Sequence, residues 1–317
     1  MKSQAVNSGT KKRNMSAYSI KDLERLSGIK AHTIRIWEKR YKLIEPKRTS
    51  SNIRTYCDSE LKKLLNISIL YRNGLKISKI STLTEKELTE KINQIVVHDS
   101  DTQSKIEGLT IAMTEYDEIK FERILSRAIM QYGFEDTIIK IIYPFIVKVG
   151  LLWQTNCINP AREHFITNLI RQKLFVAIDS LINSEQNLSK QFLFFLPERE
   201  FHELGILFFA YMAKKRGHRI IYLGQSVPLS DVIDTVKCKS LDILVTAFVS
   251  SLNDDKEIID YTEALSEKTG NLPLYISGAQ ALNINKKLPA NVKIISSPAQ
   301  FADELAKLNN SAVSDKE

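Results

Sequence analysis

From residue 191 onward, five short apolar runs recur, "QFLFFL", "RIIYLG", "DILVTAFV", "LPLYIS" and "VKII", each separated from the next by a stretch with helical spacing. An apolar run of that length without polar alternation is a strand buried on both faces. Strands of this kind that alternate with helices close as a parallel sheet covered on both sides. The last third of the chain is therefore expected to form a five-stranded doubly wound parallel α/β domain over 189–309, with a short tail at 310–317. Sheets of this class take ligands at the carboxyl ends of their strands, beside the point where strand order reverses. The loop after the first run reads "PEREFHELG", residues 197–205. It puts His202, one of only five histidines, two residues after Glu200 and three before Gly205, at the binding edge of the sheet.

Charge separates the other end of the chain from this domain. Residues 1–80 hold 19 Lys and Arg against 6 Asp and Glu, a net of +13, whereas the whole chain carries +8 and the remainder −5. A basic segment joined to a mildly acidic remainder points to a polyanion-binding module attached to something that does not bind polyanions. The apolar stretches are shorter than the roughly 18 residues of a spanning helix, so no membrane partner is expected. Residues 1–16 lack the apolar core of a secretory signal and read as a disordered basic arm. Cys57, Cys157 and Cys238 are odd in number, far apart and in no metal-ligand spacing, which fits a reducing cytoplasm.

Within the basic segment, "YSIKDLERLSGIKAHTIRIWEKRYKLIEPKR" encodes two short helices. Ser19 is a good N-cap, Ile20, Leu23 and Leu26 recur at helical spacing, and Gly28 stands where the first helix stops. The second begins near Ala31 with Ile34 and Trp37 inward, leaving His32, Thr33 and Arg35 outward at its N-terminal end, as in a recognition helix. A basic polar turn follows, and "NIRTY" returns the chain to a helix expected to be capped by Asp58 and closed at Asn73 and Gly74. This return is a wing. Together the helix pair, Pro46, Arg48 and "IRTY" resemble the winged-helix domain of the MerR family of transcription regulators, expected over 17–90. The resemblance implies that Arg35, Arg40, Lys47, Arg48, Arg54 and Tyr56 approach the phosphates or the groove of double-stranded operator DNA. Basic side chains on helix and wing give salt-dependent phosphate affinity, and only those at the helix N-terminus reach base edges.

A linker is expected over 91–104 and a helical bundle over 105–188. "YDEIKFERILSRAIMQYG" carries Phe121, Ile124, Leu125, Ala128 and Ile129 on one face, and "EDTIIKIIYPFIVKVGLLWQ" is apolar nearly all round, which reads as a four-helix bundle.

The motif Glu200-x-His202-x-x-Gly205, followed by "HRIIYLGQSVP" and "YISGAQAL", resembles the cobalamin-binding domain shared by methionine synthase, the mutases and the CarH-type regulators. In that family the histidine is the lower ligand of cobalt and the displaced nucleotide tail slides in beside glycines. The resemblance thus implies His202 as the metal ligand and Gly205, Gly224 and Gly278 along the tail. Neutral imidazole suits cobalt, and a carboxylate two residues earlier can hold the other ring nitrogen and fix the tautomer. The sequence departs from the common pattern in having Glu200 for aspartate, Ser277-Gly278 for a glycine pair, and Thr246 or Ser250 for the serine after the third strand. Trp153 and the pair Glu163-His164 are separated by nine residues, "QTNCINPAR", which matches the Trp-x9-Glu-His cap of cobalamin-dependent light-sensing regulators. That match implies Trp153 over the upper face of the cofactor and Glu163 and His164 against it. Gln154 stands where some relatives carry a histidine that captures the vacated upper position.

The resemblance, in the order DNA-binding domain, cap bundle, cobalamin domain, implies a cytoplasmic repressor that is not an enzyme. It would bind adenosylcobalamin, assemble as a homo-oligomer (dimer or tetramer), sense light, bind operator DNA and contact RNA polymerase. Two alternatives stand beside it: the same architecture with a degenerate sensor that regulates without cofactor, and a cobalamin carrier for methyl transfer.

Overall fold

The computed structural model describes residues 18–49, 52–98, 101–154, 158–181, 190–252, 254–284 and 286–314. The basic arm expected over 1–16 and Cys157 lie outside the described residues. The chain divides into two compact units, Met1–Ile166 and Thr167–Glu317. The division falls inside one helix, Pro160–Asp179, and is coarser than the partition at 17–90, 105–188 and 189–309 expected from the sequence.

In the first unit, α1 (Ile20–Ser27) starts at a reciprocal cap. The Ser19 hydroxyl accepts from the Asp22 N–H, and the Ser19 N–H donates to the Asp22 carboxylate at 2.8 Å. Gly28, at φ 71°, ends it. Helix α2 (Ala31–Tyr41) buries Ile34 and Trp37, the latter edge-on to Tyr71 with ring centroids 5.1 Å apart. The wing is the antiparallel pair β1 (Lys47–Arg48) and β2 (Arg54–Thr55), with Arg48 opposite Arg54. Helices α3 (Asp58–Arg72), α4 (Ile77–Ile80) and α5 (Glu85–His98) complete this part.

Two expectations change here. Asp58 is the first residue of α3 and not its cap, Cys57 occupying the cap position, because the Asp58 carboxylate is committed elsewhere: it accepts from the Tyr18 hydroxyl at 2.8 Å and from Arg162. The segment 91–104 is helical for much of its length, since α5 runs to His98 and α6 (Thr102–Glu115) begins at an Asp101 cap that accepts the N–H groups of Gln103 and Ser104.

The helical region that follows runs in chain order as α6, α7 (Glu118–Tyr132), a composite third helix and α10 (Pro160–Asp179), which crosses the division between the two units. The composite runs as α8 (Phe134–Thr137), a π-helical turn over Ile138–Ile142, and α9 (Tyr143–Gln154). The widened turn precedes Pro144, which has no N–H to return to residue 140 and whose ring would press on that carbonyl in a regular helix. No helix among the described residues is long and apolar enough to cross a membrane.

The second unit, beyond the remainder of α10, is the expected sheet: β3 (Gln191–Pro197), β4 (Arg219–Val227), β5 (Ile243–Ala247), β6 (Leu274–Ser277) and β7 (Val292–Ile294). All pairings are parallel and the order is β4-β3-β5-β6-β7. Helices α11 (Leu204–Lys215), α12 (Leu229–Cys238), α13 (Asp255–Lys268), α14 (Ala279–Leu282) and α15 (Pro298–Ser314) lie between and after the strands. Phe192 through Leu196 are buried on both faces of β3, an interior strand, which is why this run reads as continuously apolar. Leu193, Phe195, Leu244, Phe248, Leu274 and Ile276 share one core cluster. Strand order reverses between β3 and β5, so the loops leaving these two strands face one crevice.

Candidate functional site

The loop between β3 and α11 is held by Glu200, whose side chain is 0% exposed. Its Oε1 accepts the backbone N–H groups of Phe201 at 3.0 Å and His202 at 3.1 Å, together with His202 Nδ1 at 2.6 Å. Its Oε2 accepts three successive N–H groups from the loop leaving β5: Val249 at 2.9 Å, Ser250 at 2.9 Å and Ser251 at 3.1 Å. Burial alone would raise the pKa of this carboxylate. The hydrogen bonds from His202 and from the backbone of Ser250, Val249 and His202 outweigh it and draw the pKa down to about 2. One anion therefore ties together the two loops at the switch point.

The consequence falls on His202. An ionised Glu200 accepts from Nδ1, so in the neutral ring the lone pair sits on Nε2, on the opposite side of a side chain that is 58% exposed. Ser250 Oγ lies 3.2 Å from the same Nδ1. Next in sequence, Glu203 accepts the Tyr222 hydroxyl at 2.8 Å and pairs with Arg171 Nε of α10 at 2.5 Å. Burial and the Glu203 carboxylate push the Tyr222 hydroxyl upward in pKa. Gly205 lies in the first turn of α11, where a Cβ would enter open space.

The remaining expected tail residues separate. Gly224 marks a register shift in β4 against β3. Gly278, at φ 96°, is demanded by the fold itself, since a Cβ there would stand 2.3 Å from the carbonyl oxygen of Phe248. Ser277 ends β6 beside it. Thr246 is fully buried within β5, and its Oγ1 has no hydrogen-bond partner among the described residues, whereas Ser250 belongs to the His202 loop. Of the two candidates for the serine position, Ser250 lies beside His202 and Thr246 lies inside β5. Sequence reading missed Arg171, Glu203, Tyr222 and Ser226, whose hydroxyl accepts the Arg199 N–H at 3.1 Å. These contacts span 19 to 32 positions of sequence, and only the fold joins them.

In the first unit, Trp153 and Gln154 are the last two residues of α9, and their side chains are outside the described set. Glu163 Oε2 stands 3.0 Å from His164 Nδ1 in the first turn of α10, with the His164 side chain 71% exposed. On the basic face, His32, Arg35 and Arg40 are exposed along α2 and Thr33 is half-buried. Lys47 and Arg48 are exposed on the wing, where Arg48 Nη1 donates to Asn52 Oδ1 at 2.6 Å. Arg54 pairs with Glu38 at 3.2 Å. Tyr56 corrects the expectation of groove contact: it is 1% exposed, bridges Tyr18 backbone to backbone, and aims its hydroxyl at Glu38 at 3.4 Å. Burial and Glu38 push its pKa up to about 12. Glu38 thus straps the wing to the recognition helix, a role that no local pattern signals.

Among the described residues no group of three or more His, Cys, Asp and Glu can hold a metal ion. A single oriented imidazole suits a metal that arrives with its other ligands already in place, which is the donor set a corrin-bound cobalt requires. The residues therefore fit such a group.

Residues 18–87 match the MerR HTH family regulatory protein family, and residues 105–177 match the B12 binding domain. The HTH-type transcriptional repressor CarH of Myxococcus xanthus is 25% identical over 271 residues, which is 83% of this chain and 89% of that protein. The HTH-type transcriptional repressor CarA of Myxococcus xanthus is 24% identical over 299 residues, 92% and 96% of the two chains. Among solved structures, the monomethylamine corrinoid protein of Methanosarcina barkeri is similar at 17% identity and a TM-score of 0.49, covering 68% of this chain and 99% of that one.

Proposed function

We propose that this chain, a CarH-type MerR regulator with a B12-binding domain and not an enzyme, represses transcription from an operator it grips in response to adenosylcobalamin and light. The observation that carries the reading is the Glu200–His202 pair at the switch point of the sheet, with Nδ1 held at 2.6 Å and Nε2 thereby left as the basic nitrogen. In this reading His202 would hold the cobalt of the cofactor, Glu200 would orient the imidazole through Nδ1, and Ser250 would steady the same ring. Gly205 leaves room for the nucleotide tail. When bound, adenosylcobalamin supplies a cobalt–carbon bond that light cleaves.

The rest is done by protein groups. By the resemblance, Trp153 would cover the cofactor with Glu163 and His164 beside it, which would exclude water and favour the oligomer that grips a near-palindromic operator. His32, Thr33 and Arg35 face base edges, while Arg40, Lys47, Arg48 and Arg54 face phosphates. Trp153 would then lose its packing partner on illumination, and with it the bias toward the oligomer. Gln154 is a poor cobalt ligand, so the lit protein keeps no second protein ligand.

Reconstitution with adenosylcobalamin in the dark, followed by green light, tests the reading through absorption spectra, size-exclusion chromatography and operator binding. The expected result is a cofactor spectrum, an oligomer that dissociates on illumination, and DNA affinity that falls with it. Absence of a cofactor spectrum would leave the degenerate-sensor alternative, and an unchanged oligomer after photolysis refutes the light switch.

A further inference from the structure

Among the charged groups that join the winged-helix head to the bundle inside the first unit, two sit on the helices that carry the cap motif. Arg162, one position before Glu163 in the first turn of α10, grips Asp58 at the start of α3 in a bidentate pair, Nη1 to Oδ1 at 2.8 Å and Nη2 to Oδ2 at 3.0 Å. The guanidinium side chain is only 12% exposed, and the Tyr18 hydroxyl donates to the same carboxylate at 2.8 Å. Lys148 of α9, five positions before Trp153, donates to the Leu26 carbonyl in the last turn of α1 at 2.5 Å. Arg72 Nη1 caps the neighbouring Ser27 carbonyl at 3.1 Å and pairs with the buried Glu107 of α6. Cations at the carbonyl end of α1 satisfy groups that the helix itself leaves open and complement its dipole. Bidentate arginine pairs fix orientation as well as distance.

We propose that Arg162 and Lys148 are positioning residues that seat the DNA-binding head on α9 and α10, so that a shift of the cap helices changes how the recognition helix is presented to DNA. This rests on the cobalamin reading for the identity of the signal, and on geometry alone for the seating. A planar fork held by two oxygens tolerates little displacement of α10 before one bond breaks. A movement at Glu163 and His164 therefore reaches Asp58 through one intervening residue, and a movement at Trp153 reaches α1 through Lys148.

The test uses the full chain with Arg162→Gln, Arg162→Lys, and the exchanged pair Arg162→Asp with Asp58→Arg. Three quantities are read: the adenosylcobalamin spectrum, the ratio of operator affinities with and without cofactor, and amide hydrogen exchange of residues 58–72 in cofactor-free protein. Arg162→Gln should bind cofactor with an unaltered spectrum, lose the cofactor-dependent affinity ratio by about fivefold or more, and exchange faster over α3. Arg162→Lys should recover part of the ratio and the exchanged pair most of it. A wild-type ratio in Arg162→Gln overturns the proposal. If the wild-type chain takes up no cobalamin, the cofactor reading fails by itself, and amide exchange decides the seating: faster exchange in Arg162→Gln upholds it, unchanged exchange removes it.

Discussion

Replacing Glu200 with glutamine keeps the shape of the side chain and removes the charge on which five backbone N–H groups and the His202 ring converge. The folded carboxyl titrates near 2 against 4.5 for the ordinary group. That gap corresponds to about 3 kcal/mol of stability favouring the ionised form. The glutamine NH2 also has to face donors on one side or the other, which adds an unsatisfied pair. The sign follows from the depressed folded value: the stabilisation is fully present above pH 4.5 and is lost as pH falls through the folded value near 2. Urea unfolding followed by circular dichroism should therefore place Glu200→Gln about 3 kcal/mol below wild type at pH 7, with the gap narrowing as pH drops below 4.5. A gap under about 0.5 kcal/mol at pH 7, the usual range of surface substitutions, or a gap that does not narrow in acid, would refute the claim that the buried carboxylate clamps the two switch-point loops.

Gly278→Ala should destabilise the second unit by on the order of 3 kcal/mol, because the new Cβ meets the Phe248 carbonyl and φ is 96°; thermal unfolding measures it, and a near-neutral result contradicts the packing. Arg35→Ala should narrow the difference between operator and random DNA, whereas Lys47→Ala should weaken both alike and flatten the salt dependence, as titrations at several ionic strengths would show. Glu38→Gln releases Arg54 and Tyr56, so it should loosen the wing and lower operator affinity severalfold without altering the cofactor spectrum; unchanged affinity would remove the strap. Gln154→His should stabilise the lit form against cofactor loss, measured as the rate of cobalamin release after illumination.

The parts of the fold legible in the sequence are those fixed by local period. Five apolar runs gave five strands because a buried parallel strand needs no partner-specific residue, and Ile34 with Trp37 set the inward face of α2 through helical spacing alone. The Glu200–His202 contact was legible because two residues in one loop can touch whatever the rest of the chain does. The three N–H groups that complete the Glu200 clamp come from a loop about 50 positions away, and nothing local in their sequence marks them. Asp58 looked like a helix cap for the same reason: the local pattern shows a carboxylate before a helix, while Arg162, 104 positions distant, claims it. Tyr56 pointed to DNA by its place in the wing but is consumed by Tyr18 and Glu38, contacts that only the fold creates.

The central claim is that His202 Nε2 is the protein's bond to cobalt, and electron paramagnetic resonance of the cob(II)alamin form tests it most directly. With protein grown on histidine labelled with nitrogen-15, each line of the wild-type spectrum should split into two instead of three, and His202→Ala should lose the effect of labelling. Splitting that ignores the label in wild type, or that survives unchanged in His202→Ala, would contradict the assignment.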